Sequence, residues 1–228
     1  MNPQESLEAA RVFSEEEKKG VYRAIYERRD IRREFISDPV PDAILNKILD
    51  AAHHSGSVGF MQPWNFIVIR DAAVKNQVKN LFEKENEKAA LRYEGERRKQ
   101  YQSLKLEGIL EAPVNLCITC DHERGGQVLG RNTIPETDLY STCCAIQNLW
   151  LAARAEEIGV GWVSILSPDG LKEVLGIPSR VTAVAYLCLG YVREFPKRPM
   201  LEEAGWEKRI PLAELVFKDQ WGLRPEIS

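Results

Sequence analysis

The 228-residue sequence has no apolar run long enough to cross a membrane. Its longest runs, such as Val160–Leu166, fall far short of the ~20 residues that span a hydrocarbon core of roughly 30 Å. The sequence also lacks a strong excess of either charge, because 31 Lys and Arg residues stand against 34 Asp and Glu residues. A near-neutral balance gives no general attraction to nucleic acid or to an anionic membrane. We therefore expect neither as a partner.

Cysteine is scarce, and the five residues present are an odd number for a disulfide framework. The first residues contain several acids and no apolar central region, so they do not resemble a secretory signal. Both features favour a reducing, cytoplasmic location. Cys117 and Cys120 form a CxxC pattern at the end of a predicted strand, but no second pair completes a zinc site. We expect them to be buried apolar residues and predict no metal site.

Several common functional motifs are absent as well. No GxGxxG follows a predicted strand, and no Walker A lysine is present. His53, His54 and His122 do not form an HExxH or comparable metal-binding pattern. No internal repeat occurs at the periods of about 20–50 residues that mark solenoids. These absences argue against a Rossmann dehydrogenase, a P-loop enzyme and a repeat protein.

Hydrophobic periodicity and turn residues predict an α+β fold, with one mixed sheet of about four strands flanked by helices. We expect a single domain over residues 1–228, with a C-terminal extension over about 195–228. Residues 72–105 are helical in composition but heavily charged, which is typical of a solvated surface or a mobile cover. The predicted helices are 14–28, one that begins near Asp42 and ends before Gly56, 139–155 and 169–175; the predicted strands are 65–70, 114–119, 161–166 and 181–189.

Residues 28–33 (RRDIRR) place four arginines within six residues, directly after a predicted helix. Guanidinium groups offer planar, paired donors that match phosphate oxygens. The alternative is a solvated cationic turn, which composition by itself favours. Asp30 lies inside this cluster, and its charge would repel a phosphate. We therefore expect Asp30 to face another part of any ligand.

Two loops are candidates for ligand binding. The serine loop, Ser55–Trp64 (SGSVGFMQPW), contains two glycines that let the backbone approach a ligand closely, and Ser, Gln and Trp side chains that could contact it. The alternative is an ordinary helix-to-strand loop with Gly56 as the helix C-cap. The glycine loop, Asp121–Glu136, is long, and long loops within compact domains are often functional, although disorder is the competing interpretation.

Taken together, these motifs resemble the flavin-dependent nitroreductase family over about residues 18–210. The resemblance rests on the Arg-rich stretch, the serine loop ending in Gln-Pro-Trp, the GVGW of residues 159–162 and the late Lys197-Arg198-Pro199. The longer segments RRDIRREF, SVGFMQPWNF, LEGILEAPVNLCITCD, PETDLYSTCCAIQNLWLAARAEEIGVGWVSIL and EFPKRPMLEEAGW resemble its BluB subgroup, the 5,6-dimethylbenzimidazole synthases. Asp30 matches this subgroup, whereas other nitroreductases usually carry Ser or Thr there.

The resemblance implies an interlocked homodimer with FMN at the subunit interface. In this subgroup reduced FMN is the substrate, which O2 converts to 5,6-dimethylbenzimidazole, the lower ligand of vitamin B12, and erythrose 4-phosphate. The sequence leaves open whether the chain reduces FMN with NAD(P)H or receives it from a separate flavin reductase. Two alternatives remain: an NAD(P)H-dependent nitroreductase or dehalogenase, and a flavin-binding protein without catalysis.

The resemblance also assigns roles to residues. It implies general acid/base work for Asp30, and for Ser164 a hydrogen bond to the ribityl chain or a proton relay. The alternative for Ser164 is a strand-end serine that caps the next turn. Gly161 is expected to let O2 and the flavin approach, and residues around 92–106 to form a lid that excludes water. The implied cofactor contacts are Arg28, Arg29 and Arg32 at the phosphate and pyrimidine side, Arg198 at the phosphate, Ser55 and Ser57 along the flavin, Leu106 at the ring, and also Asp30, Ile31 and Ser164.

Overall fold

The computed structural model describes residues 12–224, which form two compact units divided between Phe195 and Pro196. The first unit contains a four-stranded sheet and six helices within the described range. Its helices are α1 (Glu15–Glu27), α2 (Asp42–His53), α3 (Ala72–Ala90), α4 (Gly95–Ser103), α5 (Thr137–Ala155) and α6 (Pro168–Leu175); its strands are β1 (Trp64–Ile69), β2 (Val114–Asp121), β3 (Ile158–Val163) and β4 (Val181–Tyr191).

The sheet has the strand order β1-β2-β4-β3, and every neighbouring pair is antiparallel. The predicted α+β class is confirmed, but the sheet is not mixed. β2 and β3 run in the same direction, as a strand–helix–strand crossover through α5 allows. β4 lies between them and is antiparallel to both, so no two hydrogen-bonded neighbours are parallel. β1 and β3 are left at the opposite edges of the sheet.

Both faces of the sheet are covered. One core cluster joins α2 and α5 to the first face, and a second joins α3 and α6 to the other. Successive side chains of a strand point to opposite faces. β2 accordingly supplies Leu116 and Ile118 to the first cluster and Cys117 to the second. With both faces packed, the sheet edges and the loops at the strand ends are where a site can form.

Most element boundaries follow from local signals in the sequence. Ser14 and Glu17 form a capping box at the start of α1. Ser167 caps α6, and Gly176 ends it in the left-handed conformation. β3 differs most from its prediction, since it begins at Ile158 and not at Gly161. Its two glycines are poor strand formers and hide the start of the strand in the sequence.

The second unit, from Pro196 onward, contains a short helix, α7 (Met200–Glu203), and a 3₁₀ turn, Leu212–Glu214. The Trp206 N–H donates to Leu201 O at 2.8 Å. Two ranges lie outside the described residues. Residues 225–228 are the end of the predicted C-terminal extension, and residues 1–11 are most of the N-terminal segment that does not resemble a secretory signal.

Two further expectations concern cysteines and membranes. All five cysteines are free, and Cys117 and Cys120 are buried, which confirms the burial expected for the CxxC pair. Between residues 12 and 224 no helix combines the length and the apolar character needed to cross a bilayer.

Candidate active site

The Arg-rich segment lies along β3 at the edge of the sheet. Asp30 forms an isolated parallel bridge with Val160, and the Ile31 N–H donates to Val160 O at 3.0 Å. Ile31 is fully buried, and its backbone O accepts from Arg32 Nη1 at 3.3 Å. A Cβ on Gly161 would lie 2.0 Å from Ile31 O, and one on Gly159 would lie 3.0 Å from Ile31 Cγ1. The space beside Gly161 is therefore filled by residues 31–32, which corrects the expectation that this glycine admits O2 and the flavin.

The Asp30 carboxylate is held by three hydrogen bonds. Both of its oxygens accept from the Arg32 guanidinium, and Oδ1 also accepts from the Trp162 N–H at 2.9 Å. Arg32 Nη2 in turn donates to Trp162 O at 2.7 Å. The Arg32 side chain is 10% exposed, whereas the Asp30 side chain is 44% exposed. Arg32 thus acts mainly as a buried support, and Asp30 presents a fixed carboxylate at the surface.

The pKa of Asp30 is raised, because the protein atoms packed around the carboxylate remove much of its hydration. This effect outweighs the lowering by Arg32, by the Trp162 N–H and by Arg28. The remaining exposure keeps the carboxylate accessible to a ligand. A carboxyl group with a raised pKa exchanges its proton closer to neutral pH than a free aspartate does.

Trp150, in α5, organises the beginning of the same segment. The Arg28 guanidinium lies over its ring, 4.8 Å from the centroid, and its Nε1 donates to Arg29 O at 3.3 Å. Its ring also contacts that of Trp162, with centroids 6.3 Å apart. Arg29 Nη1 donates to Tyr26 O at 2.8 Å, at the C-terminal end of α1. The arginines that look alike in the sequence therefore have different surroundings.

Ser164 follows β3 directly, two residues beyond Trp162, and is exposed. No hydrogen-bond partner for its hydroxyl is found among residues 12–224. The alternative role, capping the next turn, belongs to Ser167, whose Oγ accepts from the Gly170 N–H at 3.2 Å. Asp30 and Ser164 therefore lie at the same sheet edge, connected through Trp162.

The serine loop leads into β1, at the edge opposite β3. Ser57 Oγ accepts a hydrogen bond from the Gln62 N–H at 3.2 Å. Ser55, two residues earlier in the chain, is partly buried. With three strand spacings of about 4.8 Å between the two edges, roughly 14 Å separates them. The structure thus groups Arg28, Asp30, Arg32 and Ser164 at one edge and places the two serines at the other. Arg198 belongs to the second compact unit, ahead of α7.

Leu106 is partly buried against the second core cluster, and its neighbour Glu107 anchors it. The Glu107 side chain, 3% exposed, accepts hydrogen bonds from Lys79 at 3.0 Å and Lys105 at 2.6 Å. It also accepts from the Ile109 N–H at 2.8 Å. Because Lys79 lies on α3, Glu107 ties the Leu106 segment to that helix.

Glu107→Gln should lower the free energy of unfolding by about 2 kcal/mol at neutral pH, because hydrogen bonds to charged groups contribute about 1.5–3 kcal/mol. Burial alone raises the pKa of Glu107, but the bonds from Lys105, the Ile109 N–H and Lys79 outweigh it and lower the pKa overall. This stabilisation is present above the ordinary carboxyl pKa of about 4.3 and is lost as pH falls through the lowered pKa. Urea denaturation at neutral and acidic pH measures both effects.

Glu111→Gln is the matched control, since Glu111 pairs with Lys105 but is 42% exposed. Glu111→Gln should lower the free energy of unfolding by less than about 1 kcal/mol. Equal losses in the two variants would show that the burial of Glu107 adds nothing.

Three potential metal ligands, Cys120, His122 and Asp138, converge where β2 meets the glycine loop. His122 Nδ1 lies 2.8 Å from Asp138 Oδ2, and Nε2 lies 2.8 Å from Thr182 Oγ1. Burial raises the pKa of the Cys120 thiol to about 11, which disfavours the thiolate that a metal requires. Both ring nitrogens of His122 have hydrogen-bond partners, so the cluster is suited to linking the glycine loop to α5. The absence of a metal site stays a prediction.

A cavity of about 560 Å³ lies between α2, the serine loop and β1, and Arg124 of the glycine loop forms part of its wall. None of the predicted cofactor contacts lines it. Sequence reasoning did not single out Arg124, Trp150, Glu107, or the His122–Asp138 pair. Their roles depend on partners distant in the chain, and no local pattern indicates them.

The profile of the Nitroreductase family matches residues 25–191, and the chain belongs to that family. Within it, the chain is similar to 5,6-dimethylbenzimidazole synthases. It is 42% identical to the one from Rhodospirillum rubrum, over 81% of this chain and 87% of that protein. It is 36% identical to one from Rhodobacter capsulatus, over 81% of this chain and 89% of that protein. The resemblance inferred from the sequence motifs is confirmed.

Solved structures share the fold. Iodotyrosine deiodinase bound to FMN and 3-iodo-L-tyrosine superimposes with a TM-score of 0.67 and 21% identity, over 78% of this chain and 94% of that chain. The NADPH:FMN oxidoreductase from Vibrio harveyi, complexed with NAD+, gives a TM-score of 0.65 and 18% identity, over 92% and 80% of the respective chains. At these identities the likeness establishes the fold alone.

Proposed function

We propose that this chain catalyses the oxygen-dependent fragmentation of reduced FMN to 5,6-dimethylbenzimidazole, the lower ligand of vitamin B12, and erythrose 4-phosphate. The observation that carries the proposal is the Asp30 carboxylate, which is half exposed, has a raised pKa and is fixed by Arg32 and Trp162. Binding FMN does not by itself require a carboxylate among the phosphate-binding arginines. The identity to named synthases supports the same conclusion.

The residues at this edge fit a flavin mononucleotide in their chemistry. The arginine segment supplies permanent positive charge for a phosphate, and the exposed Ser164 hydroxyl is suited to a polar chain such as ribityl. Arg28 and Arg29 would contact the phosphate and pyrimidine side, and the resemblance assigns Arg198, which belongs to the second unit, to the phosphate. Arg32, already engaged by Asp30 and Trp162 O, would act through Asp30. Ser55, Ser57 and Leu106 would contact the flavin, and Ile31, which the resemblance also assigns to it, is fully buried in the described chain.

Reduced FMN supplies both the electrons for O2 and the atoms of the product. The residues of this chain would hold and move protons. Asp30 would accept a proton from the ribityl carbon and return protons to ring nitrogens, work that suits a carboxyl with a raised pKa. Arg32 and the Trp162 N–H would keep the carboxylate oriented. Ser164 would donate or accept one hydrogen bond along this path.

A second copy of the chain would complete the site. Because the serine loop and Asp30 lie at opposite edges of one sheet, two copies could supply these segments to the same ligand. Each copy also exposes apolar side chains that a partner could cover: Tyr22 of α1 is 54% exposed, Tyr26 is 71% exposed and Tyr140 of α5 is 58% exposed. These observations support the homodimer that the resemblance implies.

Residues 92–106 would cover the flavin. α4 is tethered to α3, because the buried Tyr101 donates its hydroxyl proton to Asn86 Oδ1 at 2.7 Å and stacks on Tyr93, with ring centroids 5.0 Å apart. Such a cover would exclude water and competing acceptors. A bound flavin that stays widely open to solvent would contradict this role.

The direct test is an aerobic incubation of the purified protein with chemically reduced FMN, followed by identification of products by mass. We expect a dimethylated benzimidazole and loss of flavin. Parallel incubations with oxidised FMN and NADH or NADPH determine whether the chain reduces FMN itself or needs a separate flavin reductase. Intact, reoxidised FMN with peroxide as the only products would favour the NAD(P)H-dependent nitroreductase alternative.

A further inference from the structure

The glycine loop interlocks with the serine loop, although the proposed function gives it no role. A Cβ on Gly59 would lie 2.4 Å from Val128 Cγ1 and 2.8 Å from Leu129 O. A Cβ on Gly130 would lie 2.7 Å from Val58 Cγ1. Neither glycine can carry a side chain unless the two loops move apart. One glycine of each loop, Gly59 and Gly130, is therefore used for contact between the loops.

Arg124 connects the two loops by hydrogen bonds. Its Nη1 donates to Gln62 O at 3.0 Å and to Trp64 O at 2.8 Å, and its Nη2 donates to Asn65 Oδ1. The planar guanidinium is well suited to holding several acceptors in a fixed arrangement. The Gln62 N–H donates to Ser57 Oγ at 3.2 Å. One side chain of the glycine loop thus reaches Ser57 through a single intervening residue.

Arg124 is itself held in place. Arg131 Nη2 donates to Arg124 O at 3.0 Å, and Arg131 Nη1 donates to Gly126 O at 3.2 Å. The beginning of the loop is fixed by the hydrogen bond between His122 and Asp138. The backbone of Arg124 is therefore held by Arg131 of the same loop, and Arg131 Nη2 also donates to Met61 Sδ of the serine loop at 3.3 Å.

The serine loop has a backbone that needs such support. Phe60 has φ 54° and Gln62 has φ 45°, both in the left-handed region that disfavours residues with a Cβ. Phe60 is 83% exposed, so its own side chain contributes little packing to offset this strain. Contacts from outside the loop hold these angles: Arg124 binds Gln62 O and Trp64 O, and the Val58 N–H donates to Ser141 Oγ of α5 at 3.2 Å.

We infer that Arg124 is a positioning residue for the flavin-facing serines: it clamps the serine loop and so sets the location of Ser57. This inference rests on the proposed function, in which Ser55 and Ser57 contact FMN. It gives the glycine loop a purpose that its sequence alone does not reveal.

The test uses the full chain and the affinity for oxidised FMN, measured by flavin fluorescence. Arg124→Gln should weaken FMN binding about tenfold or more, since displacement of a contact by about 1 Å is costly. Arg124→Lys keeps the positive charge but not the planar guanidinium with its several donors, so it should also weaken FMN binding. The matched control is Arg180→Gln, because Arg180 contacts Asp121 and Glu123 at the start of the same loop but not the serine loop. It should bind FMN within about twofold of the unchanged protein.

A double-mutant cycle separates positioning from general destabilisation. If Arg124 acts through Ser57, Ser57→Ala should cost much less affinity in the Arg124→Gln protein than in the unchanged protein. Additive losses would overturn the inference, as would unchanged affinity in Arg124→Gln. If Arg124→Gln does not fold, the same double-mutant cycle with Arg124→Lys tests whether Arg124 acts through Ser57. Failure of the unchanged protein to bind FMN would overturn the proposed function, and this inference with it.

Discussion

Replacing Asp30 with asparagine should reduce formation of 5,6-dimethylbenzimidazole by about 10²–10⁴-fold, the usual contribution of a positioned acid or base. The amide oxygen can still accept from the Trp162 N–H, which now bonds Asp30 Oδ1 at 2.9 Å, but the amide cannot exchange a proton. FMN affinity should change by only a few-fold. Product analysis by mass and a titration with oxidised FMN measure the two quantities.

The pH profile gives a second readout of the same residue. If Asp30 acts as a base, the activity should fall as pH drops through its raised pKa, and this limb should be absent from the residual activity of Asp30→Asn. Asp38→Asn is the matched control, because Asp38 is exposed in the segment before α2, and its substitution should leave both quantities unchanged. Product formation at the unchanged rate in Asp30→Asn would refute the catalytic assignment.

Gly161→Ala is the second change with a large expected effect. The new Cβ would lie 2.0 Å from Ile31 O and 2.8 Å from Arg32 Nη1, so residues 30–32 would have to leave the edge of β3. Overpacking of this kind costs about 1–3 kcal/mol of stability, sometimes more. The displaced carboxylate should reduce activity by about 100-fold. Urea denaturation and the product assay measure the two losses.

Gly20→Ala is the control for Gly161→Ala. Gly20 lies within α1, and a Cβ there would meet nothing within 4 Å. The change should stabilise the protein by about 0.5–1 kcal/mol, because alanine is the better helix former. Unchanged stability and activity in Gly161→Ala would mean that residues 30–32 do not pack against β3 as described.

Much of the secondary structure could be predicted from the sequence because its signals are local. The cap at Ser14, the cap at Ser167 with Gly176, and the apolar run that forms β2 each depend on neighbours within a few residues. The strand directions could not be predicted in this way. Whether β4 inserts between β2 and β3 depends on which strands pair across the fold, and it turned an expected mixed sheet into an antiparallel one.

The candidate site shows the same difference between what local sequence signals indicate and what long-range contacts decide. Local residue patterns selected the segment around Asp30 and the serine loop, because unusual residues stand close together there, and the family resemblance selected Ser164. The resemblance misassigned Gly161, since a glycine in a sequence does not reveal what occupies the space of its missing side chain. That space is filled by residues about 130 positions earlier in the chain.

The sequence by itself determined the family and the α+β class, because residue types and short spacings carry that information, and the family resemblance singled out Asp30 as the proposed acid or base. Only the tertiary structure decided how the carboxylate is held, that Arg32 supports it, that Arg124 anchors the serine loop and that Glu107 anchors the Leu106 segment. These arrangements arise from contacts between distant parts of the chain. Their hydrogen bonds require donors and acceptors brought within about 3 Å, which only packing of the whole domain achieves.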